Sequence, residues 1–277
     1  MDVVSGRFID NGVRLIGLIM IGTIICFLLT PIVVTAIMAF DSRPYLGPLP
    51  PPSLSFRWFT QFFSDDYFLR GLKTSLQLAA LSVSVSVCVG VVTAFAVERT
   101  NFFGKEMLTS LFLSPLLVPP VVTGFALLLF LSHLGLINGF ARLLCGHIII
   151  TVPYTIRATL AGLAGIDCSL TEAALSLGAN ERRAFWDITF PLARTSIVSG
   201  AIFAFAVSMD DVAVSIMLTD ARTFTLPVAL ISSMRANFDL SIAAASVMLM
   251  LVTLGLILIL EKTVGLNRAI GQGVFRS

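Results

Sequence analysis

Charge is what this chain has least of: Asp, Glu, Lys and Arg make up 12% of its 277 residues, about half the share usual in a soluble globular domain. With 57% hydrophobic residues and a mean hydropathy of +0.96, a water-soluble globule is excluded and an all-α integral membrane protein is expected. A net charge of +2 without a dense basic run excludes nucleic acid as a partner. Histidine is confined to His133 and His147, neither of which has the carboxylate or cysteine company a metal needs, so no metal site is expected and both are placed at a membrane interface. Cys26, Cys88, Cys145 and Cys168 are far apart, and three of them lie in apolar runs as small hydrophobes, which suggests neither a disulfide framework nor a metal centre. The phosphate loop is missing too. Gly104 and Lys105 are followed by Glu106 where Ser or Thr is required, so any nucleotide chemistry belongs to another polypeptide. Without a His-Glu-x-x-His pattern or a serine–histidine pair at one membrane depth, an intramembrane enzyme is disfavoured and no catalytic residue is expected.

What the chain does have is long apolar runs. A crossing helix needs about 20 apolar residues, which divides the chain into six spans: 13–40, 72–97, 107–132, 140–163, 196–219 and 240–261. The first is too long for a signal-peptide core and lacks a small-x-small cleavage pattern, so it stays as an anchor. An even number of spans puts both termini on one side. Arg7, Arg14, Arg99, Lys105, Arg157, Arg182, Arg183, Arg194, Lys262, Arg268 and Arg276 fall at that face, against Arg43, Arg57, Arg70, Lys73, Arg142, Arg222 and Arg235 at the other. The excess assigns the termini and the loop around Glu172 to the cytoplasm.

Within this frame several segments stand out. Residues 41–69 carry Pro44, Pro48, Pro50, Pro51 and Pro52, then Phe56, Trp58, Phe59, Phe62 and Phe63, which reads as a rigid connector leading into an interfacial helix with Trp58 at headgroup level. Serine and valine alternate over 82–89, a strand-like period. An open strand in lipid leaves its backbone groups unpaired, so a helix is expected, with Ser82, Ser86, Gly90 and Ala94 as a small-residue packing stripe. Pro115, Pro119 and Pro120 must break or bend the third span, since each deletes a backbone donor. Broken helices in transporters tend to line the substrate path, which makes Pro119, Pro120 and Thr123 candidates for it; Pro153 and Tyr154 repeat the theme in the fourth span. Asp210 and Asp211 cost about 2.5–3.5 kcal/mol each at the centre of a membrane helix and need a reason. One is attraction of an ammonium group from a wet cavity. The other is structural, through an ion pair with an arginine such as Arg235 or the capping of a broken helix.

Between the fourth and fifth spans lies a polar island. Ser169 and Glu172 stand three apart as in a capping box, so a short helix is expected to start there. Ala173, Ala174 and Leu177 fall on one face, Gly178 suits the left-handed stop, and Asn180 suits the cap of a second helix. That second helix carries Arg182, Arg183, Phe185, Trp186 and Ile188, and Pro191 is expected to close it.

The series Glu172, Ala173, Ala174, Gly178, Ile188 and Pro191 resembles the signature loop of binding-protein-dependent ABC importer permeases, in which Glu-Ala-Ala precedes a Gly six residues after the Glu, then Ile and Pro. Thr195 departs from it, since many members carry a second proline there. Residues 208–215, followed by Thr225, Leu226 and Pro227, are similar to the second permease subunit of the spermidine/putrescine-type branch, and the likeness runs from the first span to the last. It implies a type I importer permease fold over 1–277, with six transmembrane helices, a periplasmic loop at 41–69 and a cytoplasmic coupling loop at 165–195. In that family the short helix at 172–177 seats in a cleft of a separate, dimeric ATP-hydrolysing subunit, which uses ATP and Mg while the permease binds no cofactor. The docking set implied here is Ser169, Glu172, Ala173, Ala174, Leu177, Gly178, Ala179, Arg182, Phe185, Ile188 and Pro191. Further implied partners are a second, paralogous permease subunit, a periplasmic solute-binding protein and a small solute, all at a bacterial inner membrane. The solute implied is a polyamine, with opines, phosphonates and other small solutes as alternatives within the branch. An ion-gradient-driven secondary transporter using Asp210 and Asp211 is the rival from another class, and the docking loop argues against it.

Overall fold

The computed structural model describes residues 2–100, 102–236 and 239–264, and among them every named element is a helix. Arg268 and Arg276, together with the side chains of Arg7 and Cys168, lie outside the described residues. Among the described residues five helices are long and apolar enough to cross a membrane, or six if the bent pair over 105–133 counts as one span. The chain divides into two compact units.

The first unit holds residues 1–65 and 233–248. Helix α1 (Asp2–Ala39) ends in a loop where an antiparallel bridge joins Asp41 to Leu54, and α2 (Arg57–Ser64) follows. The Arg43 guanidinium pairs with Asp41, and its hydrogen bond holds that carboxyl below its usual range. Trp58 is 3% exposed, packs with Ala39, Leu240, Ala244 and Val247, and donates from Nε1 to the Asp41 carbonyl at 2.7 Å. A partner for the indole N–H makes that burial favourable.

The second unit holds residues 66–232 and 249–277. Helix α3 (Asp66–Arg99) runs through residues 82–89 as the lipid argument requires, and Ser82, Ser86, Gly90 and Ala94 are all buried on one face. That face meets the helices over Gly139–Ala164 and Phe190–Asp210. The contact leaves no room for side chains: a Cβ on Gly90 would sit 2.0 Å from Thr155 Oγ1. Small residues let membrane helices approach where no hydrophobic force separates protein from lipid. Hydroxyls then join the helices, Ser86 Oγ to Thr151 Oγ1 at 2.7 Å and Thr155 Oγ1 to the Ser86 carbonyl at 2.7 Å.

The third span is broken, as its prolines predict. Helix α4 (Lys105–Leu113) tightens into a 3₁₀ turn (Ser114–Leu116), the chain extends at Pro119, and α5 (Pro120–His133) leaves at 104°. Pro119 adopts φ −54°, ψ 129° because the ring of Pro120 disfavours a helical predecessor. Helix α6 (Gly139–Ala164), capped by Asn138, continues through Pro153.

After α6 come α7 (Cys168–Ser176), α8 (Glu181–Ala184) and α9 (Phe190–Asp210), with a wide π-type turn (Phe185–Thr189) between the last two. The expected fifth span of 196–219 is corrected: α9 stops at Asp210, and a single turn, α10 (Ser215–Leu218), follows a break. A short apolar helix, α11 (Leu226–Ala236), precedes α12 (Ser241–Val264).

Candidate functional site

The elbow joining α6 to α9 is built from hydrogen bonds between near neighbours. Asp167, not Ser169, caps α7: its carboxylate accepts the Ser169 amide at 2.9 Å, while Ser169 already lies inside the helix. An ionised carboxylate caps as well as a hydroxyl and also meets the positive end of the helix dipole, so the aspartate two residues upstream takes the position. Those bonds from Ser169 hold the Asp167 carboxyl below its usual range. At the other end Leu177 is the C-cap and Gly178 takes φ +88°. The Ala179 amide donates to the Ala174 carbonyl at 3.0 Å and the Gly178 amide to the Leu175 carbonyl at 3.0 Å, the paired bonds of a Schellman stop. Asn180 caps α8, accepting from the Arg183 amide at 2.8 Å.

Pro191 does not close the second helix. Residues 181–210 run on as one span through the π-type turn, whose extra residue relieves the clash and the missing donor that a proline introduces. The same turn leaves Phe185 and Ile188 half-buried. Phe185 meets Phe95 of α3 edge-on at 4.8 Å between ring centroids and contacts Trp186 and Phe190, so the elbow rests on an aromatic cluster. Its outer surface stays uncovered: Leu177 is 89% exposed, and Glu172, Ala173, Arg182, Leu170, Leu175 and Trp186 are exposed as well. Arg183 pairs with Asp187 at 3.3 Å, but both side chains are largely in solvent and the pair contributes at most a few tenths of a kcal/mol.

The break after α9 has a different construction. Asp211 leaves the helix with extended φ and ψ and caps the turn that leads through Val214 into α10, its Oδ2 accepting from the Ser215 amide and the Ser215 hydroxyl, each at 2.8 Å. Asp210 is exposed at the end of α9. The two carboxylates therefore sit at a helix terminus rather than at a helix centre, and of the two structural readings the capping one describes Asp211. His147, expected at an interface, is fully buried instead, between Ser208 at 2.7 Å from Nδ1 and Ser215 at 3.0 Å from Nε2. Histidine can be buried when both ring nitrogens are satisfied, and here both are.

The two broken spans meet. Leu78, Leu143, Val214 and Leu218 form one buried cluster with Leu127 and Leu128 of α5 against it, and Gly124, next to Thr123, abuts Val214 and Met217. At the bend of the third span a cavity of about 310 Å³ is lined by Ser114, Pro115, Val118, Val122 and Thr123, among others. Pro119 and Pro120 form the break beside it, whereas Tyr154, half-buried on α6, does not line it.

Residues 86–264 match the model of a family described as the binding-protein-dependent transport system inner membrane component. The chain belongs to this family. It is thus a multi-pass permease subunit of a transport system. Among its relatives is the spermidine/putrescine transport system permease protein PotC of Shigella flexneri, 27% identical over 250 residues that cover 90% of this permease and 94% of PotC. The putrescine transport system permease protein PotI of Escherichia coli is 27% identical over 231 residues, 81% of this permease and 82% of PotI. A solved bacterial alginate ABC transporter, in complex with an alginate pentasaccharide-bound periplasmic protein, has a chain that superposes with a TM-score of 0.72 at 17% identity, covering 92% of this permease and 95% of that chain. At that identity the likeness is one of fold.

Two features of the permease escaped the sequence. Asp167 was legible in principle, as an aspartate just before the helix. The His147 pair was not, because Ser208 and Ser215 lie 61 and 68 residues away along the chain.

Proposed function

We propose that this permease subunit imports a polyamine or related amine across a bacterial inner membrane, powered by a separate ATPase that seats on the elbow. The observation that carries the ATPase reading is the elbow itself: a rigid helix stop at Gly178, backed by aromatic packing, that presents apolar Leu170, Leu175 and Leu177 beside Glu172 to the outside. Unpartnered apolar groups on an otherwise well-built surface mark an interaction site. Ser169, Ala173, Ala174, Ala179, Arg182, Phe185, Ile188 and Pro191 complete or support that surface. In this reading the elbow and both termini are cytoplasmic, ATP and Mg belong to the ATPase dimer, and this chain supplies the path together with a second, paralogous permease subunit. Cargo comes from a periplasmic solute-binding protein, as the alginate transporter's complex with its periplasmic protein suggests.

The amine reading is supported by the names of the relatives and by Asp210, an exposed carboxylate beside the break, where the negative end of the α9 dipole favours a cation. Thr123 lines the cavity at the bend of the third span, Pro119 and Pro120 form that bend, and Tyr154 lies on α6. The test is uptake of labelled putrescine into proteoliposomes carrying the full complex. ATP-dependent uptake that survives an uncoupler is expected; uptake that continues after ATP depletion and collapses with an uncoupler overturns the reading in favour of an ion-driven carrier. A crosslink from a cysteine at Leu177 is expected to reach the ATPase, and reaction with an outside-only reagent overturns the orientation.

A further inference from the structure

His147 is a buried titratable side chain that neither the docking elbow nor the cargo reading uses. It stands on α6, but its ring nitrogens hold the two sides of the break in the fifth span. Nδ1 meets Ser208 in the last turn of α9, and Nε2 meets Ser215 at the start of α10. The directions of these bonds follow from proton counting. The Ser215 hydroxyl has one proton and donates it to Asp211 Oδ2, so it accepts from His147 Nε2–H. Nδ1 of a neutral imidazole then holds a lone pair and accepts from the Ser208 hydroxyl, whose oxygen lies 3.3 Å from that of Ser82 on α3. One row of polar contacts runs from Ser82, which also reaches the Ala79 carbonyl at 3.4 Å, through Ser208, His147 and Ser215 to Asp211, touching four helices.

We propose that His147 is a positioning residue that clasps this break in its resting geometry, and that a bond to Ser208 or Ser215 must open when α9 and α10 change their relative angle during transport. The inference rests on the reading of the chain as an ATP-coupled permease. A change of angle at residues 211–214 separates Ser208 from Ser215, and a rigid planar ring cannot follow both. With the clasp removed, the break samples the second geometry without cargo, and the ATPase is released from its dependence on the loaded binding protein.

The experiment uses the whole complex in proteoliposomes with putrescine as the probe, and reads ATP hydrolysis with and without putrescine-loaded binding protein. His147→Leu is expected to raise hydrolysis without binding protein about five-fold or more and to lower putrescine carried per ATP. Ser208→Ala and Ser215→Ala are expected to act in the same direction, Asp211 retaining the Ser215 amide bond at 2.8 Å. His147→Gln, which keeps a polar group near the Nε2 position, is expected to restore part of the coupling. In the double variant His147→Leu with Ser215→Ala the effects do not multiply, because both remove one interaction. An assembled His147→Leu complex with wild-type basal hydrolysis and yield overturns the clasp, as do effects that multiply. If His147→Leu fails to assemble, the two serine variants decide alone: wild-type coupling in both overturns it. A wild-type complex with no ATP-driven uptake overturns the transport reading as well, whereas coupled variants within a coupled system overturn only the clasp.

Discussion

The elbow and the break both interrupt long apolar helices and both carry local caps, but only at the break do hydrogen bonds also run to helices 61 or more residues away. In the elbow the capping and stopping bonds join residues two to five apart, from Asp167 with Ser169 to Ala174 with Ala179. At the break the Asp211–Ser215 bonds are as local, but His147 adds bonds from α6 across 61 and 68 residues, and Ser208 meets Ser82 of α3 across 126. A surface that must present one shape to a partner is well served by local bonds that form independently of the bundle. A joint that changes shape is better served by contacts between helices, because these open when the helices move.

The comparison breaks most readily at the tight helix crossing beside the joint. Gly90→Val drives side-chain atoms into Thr155 and costs about 1–3 kcal/mol by overpacking; the expected result is a lower melting point and less assembled complex, with amide exchange at the elbow unchanged. The next effect belongs to the elbow. Gly178→Val forces a side chain into a left-handed conformation at about 1–2 kcal/mol, so ATPase docking weakens and coupled hydrolysis falls, while the helices remain inserted. Asp211→Ala removes the cap of the turn into α10 for about 1 kcal/mol and should reduce both assembly and uptake. Asp210→Asn should leave assembly intact and raise the putrescine concentration needed for half-maximal uptake, and equal effects of the two substitutions on assembly would abolish the distinction between them.

The smallest effect is that of Asp167→Ala, which should speed amide exchange at Ser169 several-fold without changing assembly. Its pH dependence has a definite sign. The folded carboxyl is held below the ordinary carboxylate value, so the cap is fully present above that ordinary value and is lost as pH falls through the lowered one. Exchange at Ser169, corrected for its intrinsic pH dependence, should therefore lose protection only at acid pH, and should show no such step in the alanine variant.

Much of this was legible along the chain. Gly178 and Asn180 do what their residue types allow, and Pro115, Pro119 and Pro120 break the span they occupy. The serine–valine alternation becomes a helix because lipid offers no partner to an open strand. The errors are also instructive. Pro191 stops nothing, because a π-type turn absorbs it, and Trp58 is buried against Leu240, Ala244 and Val247, more than 180 positions away. Asp167 took the cap expected of Ser169, because its carboxylate both accepts the amide and meets the positive end of the helix dipole.

The sequence by itself determined that the chain is a membrane-spanning permease with one polar elbow, since apolar length, glycine and proline stereochemistry and the scarcity of charge act through neighbours. Only the tertiary structure decided that Asp211 caps a broken helix while Asp210 faces outward, and that His147 ties the two sides of the break. Burial of an imidazole is tolerable only where distant helices bring a hydroxyl to each nitrogen, and no local pattern encodes that meeting.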